Sequence, residues 1–178
     1  MSTKRSKIRV FETFGKALTR LEGQDRLLYS WSRNRIALTH ALAGHLHTLV
    51  SETDKSLSVD MCPLLNRSSK AINPDILVHN RESGAQVLAV ICRNEYLTES
   101  EQEELIKYRR DSSCELILAL SFMVQKNYML IYAAKDDGIE YYHFDRNSCT
   151  LEPVRKRSLQ DNPESGDQLT LDRMLRKR

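Results

Sequence analysis

Two apolar runs separated by a self-capped helical segment constrain this chain more than any other feature. Leu116-Ile117-Leu118-Ala119-Leu120 is continuously apolar, which is the pattern of a strand buried on both faces. The earlier run is Val87-Leu88-Ala89-Val90-Ile91-Cys92, closed by Arg93. Between them, Thr98 and Glu101 make a capping-box pair. Glu99, Glu103 and Glu104 add acids to the first turns, and Lys107, Arg109 and Arg110 place bases at the end, as the helix dipole favours. A strand, a helix and a second strand in that order predict a parallel βαβ pairing. The fold class is therefore α/β, with strands at 86 to 93 and 115 to 122 in the middle of a mixed sheet and a helix over 98 to 110 on it.

The remaining elements fall around this unit. Ile36, Leu38, Ala41, Leu42, His45, Leu46, Leu49 and Val50 form a stripe at helical spacing, which predicts an amphipathic helix over 34 to 50 with Ser32 or Asn34 as its N-cap. Val10, Phe14, Leu18 and Leu21, then Leu27, Leu28 and Trp31, predict one or two further helices over 8 to 30. Strand-like runs occupy 57 to 64 and 75 to 79, and a hairpin joins 128 to 134 with 139 to 145 across Asp136-Asp137-Gly138. From Arg155 onward Pro, Ser, Asp and Asn dominate until a short helical pattern at 168 to 177, and the stretch beyond Arg157 is expected to be loosely held. This divides the chain into a helical lead-in (1 to 32), a core domain (33 to 155) and a mobile basic tail (156 to 178).

Composition narrows the function classes. With 178 residues, 40% hydrophobic and 29% charged, the chain can bury a sizeable core as one soluble domain. The first twenty residues carry Lys4, Arg5, Lys7, Arg9, Lys16 and Arg20 with no apolar run. Neither a secretory leader nor a membrane span is expected, and the predicted location is cytoplasmic. Cys62, Cys92, Cys114 and Cys149 lack paired metal-site spacing and are read as reduced thiols, Cys92 as a small core hydrophobe. His40 and His47 lie two turns apart on one helix and do not make a metal pair, and His79 reads as a residue at a strand end. The net charge of +3 is mild, but basic clusters stand at 4 to 9, 155 to 157 and 173 to 178, a distribution compatible with nucleic acid.

One segment carries chemistry. Asn73-Pro74-Asp75-Ile76-Leu77-Val78-His79, followed by the strand at 86 to 93, resembles the PD-(D/E)xK nuclease superfamily. The resemblance covers residues 33 to 122 and implies the restriction-endonuclease-like αβββαβ core. In that family an acid on the first helix, the Pro-Asp aspartate and an acid-x-Lys pair on the third strand bind Mg²⁺ and position the attacking water. Residues i and i+2 of a strand share a face, which brings the acid and the lysine to one site. This chain keeps Asp75, but Ile91 stands where the acid should be, Arg93 where the lysine should be, and Arg35 at the position aligned with the helix acid.

A hydrocarbon cannot ligate Mg²⁺, and a guanidinium with a pKa above ~12 cannot act as the base. The resemblance therefore implies an inactive relative with Asp75 and Arg93 as a remnant site. Such a relative would retain a binding or scaffolding role toward nucleic acid or a protein partner. Arg35, Arg93, Arg155, Lys156 and Arg157 are the candidate nucleic-acid contacts, and no metal, small-molecule cofactor or membrane partner is expected. The alternative is an active Mg²⁺-dependent DNA endonuclease whose acids have migrated, with Asp75, Glu95 and Glu104 as the ligand set and Asp60 or the Glu104–Lys107 pair as other sources. On the first reading Arg93, or failing that Arg35, should pair with Asp75, and Ile91 should pack against the helix at 34 to 50.

Overall fold

The computed structural model describes residues 2 to 31, 34 to 62 and 72 to 154, with side chains from Ile8 onward. Its elements in chain order are helix α1 (Ser2–Gln24), a 3-10 turn (Arg26–Ser30), helix α2 (Asn34–Thr53), strands β1 (Leu57–Met61), β2 (Ile76–Asn80) and β3 (Gln86–Arg93), helix α3 (Glu99–Asp111), and strands β4 (Leu116–Ser121), β5 (Tyr128–Ala134), β6 (Ile139–Asp145) and β7 (Thr150–Pro153). The architecture is α/β, a seven-stranded mixed sheet with helices on both faces. The strands follow one another across the sheet in chain order. Among the described strands only β3 and β4 run parallel, in register from Leu88 opposite Leu116 to Arg93 opposite Ser121, and α3 makes the crossover between them. Every residue of β4 is buried, as its unbroken apolar run requires.

Strand alternation sorts the side chains into two cores. On one face Val78, Leu88, Val90, Cys92, Leu118, Leu120 and Ile131 meet Phe14, Leu18 and Leu21 of α1 and Leu38, Leu42 and Leu46 of α2. On the other, Leu77, Ala89, Ile91, Ile117, Ala119 and Tyr132 meet Leu97, Leu105 and Tyr108 at α3. Each fully buried large aliphatic contributes about 1.5–3 kcal/mol, so both helical layers are integral to the fold. Helix α1, expected to lie in a lead-in, supplies part of this core: Phe14, Ala17, Leu18 and Leu21 are fully buried. Its last turn is further tied by a buried ionic contact, with Glu22 3.8 Å from Arg146 and the Arg146 guanidinium 3.9 Å over the Tyr29 ring.

Three expectations need correction or fall outside the described residues. Strand β1 ends at Met61, because Cys62 adopts a left-handed φ of 45° that breaks the extended run, and the rest of the expected strand, 63 to 64, lies outside the described residues. Strand β7 was not anticipated. Its four residues follow a tight turn in which the Asp145 carboxylate accepts the Asn147 and Ser148 amides, and so short a segment lacks a periodic signal. Ser32 as a cap, the basic residues Arg155, Lys156 and Arg157, and the tail beyond lie outside the described residues.

Candidate functional site

The site lies at one end of the sheet, where β2 begins, β3 ends and the first turns of α2 and α3 approach. Pro74 biases Asn73 toward an extended conformation on the way into the strand, and Asp75 joins three strands through its backbone. Its amide donates to Val90 O at 2.8 Å, and its carbonyl accepts the Cys62 amide at 2.8 Å. The side chain continues the ladder: Oδ2 accepts the Cys92 amide at 2.6 Å. Arg35 reaches from α2 to donate through Nη1 to Oδ1 at 3.3 Å, and Nη1 of Arg93 stands 3.8 Å from Oδ2. The expected pairing of Asp75 with Arg93 is present, and Arg35 joins it rather than substituting for it.

A second carboxylate completes the cluster. Arg93 Nε donates to Glu101 Oε1 at 2.8 Å, and its Nη1 donates to Cys92 O at 3.0 Å. Glu101 also receives the Thr98 amide at 3.0 Å in the capping box that starts α3. Burial raises the Glu101 carboxyl, but the Arg93 hydrogen bond and the Thr98 donors outweigh it and hold the group below the ordinary glutamate range. Arg35, Asp75, Arg93 and Glu101 thus form an alternating chain of two cations and two anions across the sheet end. Beneath it, burial first, and the Asp75 charge second, push the Cys92 thiol up to about 12.

Ile91 is fully buried but not against α2. It belongs to the core under α3, with Leu97, Leu105 and Tyr108, which corrects the expectation of a contact with the helix at 34 to 50. The reason is strand parity: Val90 and Cys92 face α2, so Ile91 must face away. Arg35 nevertheless reaches Asp75 because it bridges around the strand end, also touching Cys92 O at 3.5 Å.

The other candidates are dispersed. Glu95 is exposed past the end of β3, with its carbonyl accepting Ser121 Oγ at 2.7 Å, and Glu104 is exposed on α3. Among the described residues no three His, Cys, Asp or Glu side chains are grouped to hold a metal, so Asp75, Glu95 and Glu104 do not form a ligand set. Asp60 is engaged elsewhere, hydrogen-bonded to Arg81 and, at 2.6 Å, to His79 Nε2; the Arg81 contact first and His79 second lower its pKa. His45, read as part of an apolar stripe, instead meets Asp25 at 2.6 Å. The residue that sequence reasoning underused is Glu101. Its capping role was evident, but its contact with Arg93 depends on where the helix start lands beside the strand end.

Chemically, the arrangement binds its own charges. Both Asp75 oxygens are engaged by donors from the chain, and the position beside them in β3 is hydrocarbon. No protein-family model matches the sequence, and no curated protein resembles it closely enough to be matched.

Proposed function

We propose that this chain is a nuclease-like protein that does not cleave and that serves as a binding component, with nucleic acid as the ligand. The observation that supports this most is the internal neutralisation of Asp75. Its carboxylate is held by Arg35, Arg93 and the Cys92 amide, and Ile91 stands where the resemblance would put the second acid. A metal would have to displace two guanidinium partners and would find no second carboxylate beside the first. The order α2, β1, β2, β3, α3, β4 parallels the αβββαβ order that the resemblance implies, and β5 to β7 extend the sheet beyond it.

The experiment is a paired assay on the full chain. Plasmid and single-stranded DNA are incubated with Mg²⁺ or Mn²⁺, and cleavage and retention are measured in the same samples. The expected result is retention without cleavage. Cleavage abolished by Asp75→Ala would overturn the reading in favour of a Mg²⁺-dependent endonuclease. Neither cleavage nor retention would remove nucleic acid as the ligand and leave a protein-scaffolding role.

A further inference from the structure

We propose that the face formed by the 3-10 turn and α2 is a platform for single-stranded nucleic acid, with Trp31 stacking on a base. The inference rests on the nucleic-acid reading above and assigns the ligand to a surface outside the Asp75 cluster. Residues 26 to 51 contain no Asp or Glu, where the chain's overall content of 24 acids in 178 residues would place about three or four; the described arginines there are Arg26 and Arg35. Leu27 is 82% exposed, Trp31 58% and Ile36 58%, a concentration of open apolar surface at the start of α2. From Ile36 the outward stripe of α2 continues through His40, Gly44, His47 and Thr48, all exposed.

The nearest acids each have a partner, Glu52 at the end of α2 standing 3.8 Å from Arg20. Glu22 is buried between Arg26, 3.4 Å away, and Arg146, and Asp25 is held by His45. Arg26 and Arg35 each use one nitrogen on a carboxylate of the chain and remain 72% and 40% exposed. An exposed indole, close in sequence to Arg26 and Arg35 within a segment that has no acid of its own, matches the requirements of single-strand binding, in which bases stack on aromatic rings and cations follow the phosphates. An anionic membrane fits less well. Past Ile36 the exposed stripe is polar, with two imidazoles and a hydroxyl, whereas interfacial insertion needs a continuous apolar face. A duplex fits less well too, because its bases are already stacked.

Trp31 is the only tryptophan of the chain, so its emission reports directly on the platform. The test titrates the full-length protein with labelled oligothymidylate, oligouridylate and a duplex of equal length, reading Trp31 quenching and probe anisotropy at fixed salt. The single strands should quench Trp31 and bind more tightly than the duplex. Trp31→Ala should weaken single-strand binding about tenfold or more, and Trp31→Phe should restore part of it. His40→Glu with His47→Glu, at exposed positions where folding tolerates the change, should weaken binding comparably, with melting temperatures confirming intact folds.

Single-strand binding that is unaffected by the Trp31 and His40/His47 variants would overturn the platform while leaving the nucleic-acid function standing. Absence of binding to any of the three probes would overturn both. A blue shift of Trp31 on phosphatidylserine vesicles without quenching by oligonucleotides would reassign the face to membranes. Trp31-dependent self-association in sedimentation would reassign it to a second copy of the chain.

Discussion

Asp75 performs three structural tasks with one carboxylate, and removing it separates them. Asp75→Ala leaves the Cys92 amide without its acceptor and leaves Arg35 and Arg93 without a shared anion. The expected loss is about 2 kcal/mol in urea unfolding, because a hydrogen bond to a charged group is lost and its partners are stranded. Asp75→Asn retains one acceptor oxygen and should cost about 1 kcal/mol. Equal midpoints for wild type and Asp75→Ala would contradict this role. At this scale the sequence was informative about chemistry and weaker about direction. The resemblance, with Ile91 and Arg93 standing where it would put an acid and a lysine, implied that Asp75 needed a cation, and two guanidinium groups are there. The side on which Ile91 packs was misjudged, although period-two alternation already contained the answer once Val90 and Cys92 were assigned to the α2 face. Glu101 was invisible as a partner because no local pattern reports which strand end a helix start will meet.

Helix α3 links two features that its sequence shows separately, the capping box and the charge cluster. Glu101→Gln keeps an amide that can still serve the capping box and removes the charge facing Arg93. The folded Glu101 pKa lies below its ordinary value of about 4.3, so its charge stabilises the protein above that value, and the benefit disappears as pH falls through the lowered folded value. Wild type should therefore exceed Glu101→Gln by about 1 kcal/mol near neutrality, with the two converging in acid below the glutamate range. Urea unfolding of both proteins across that range measures the difference, and a gap independent of pH would refute it. The element itself was legible from end to end because its cap, acids, bases and flanking apolar runs agree. Strands β5 and β6 matched their expected limits for the same reason: β-rich runs flank a turn sequence. Strand β7 escaped because four residues carry no period, and its pairing is set by β6.

The whole sheet is ordered by chain sequence, with its single parallel junction at β3 and β4, so protection from exchange should fall away from the centre. Amides of β3, β4 and β5 are expected to exchange slowest in native-state hydrogen exchange and those of β1 and β7 fastest, since each edge strand has a partner on one side only. Slowest exchange in β1 or β7 would contradict the layering. The central βαβ unit could be read in advance because continuous burial leaves a continuous apolar run. The docking of α1 could not, because helix periodicity shows that a face will be buried without saying where. That docking carries a consequence for synthesis. Phe11 meets Tyr142, with ring centroids 4.7 Å apart, and Glu22 meets Arg146, so α1 is completed by β6 and the turn after it, which are synthesised well over a hundred residues later. While β1 to β5 can pair and α1 can pack on α2 as they emerge, Phe11 must wait for Tyr142 and Glu22 for Arg146. A nascent chain halted before β6 would present the Phe11 ring and an uncompensated Glu22 carboxylate to chaperones or to neighbouring chains.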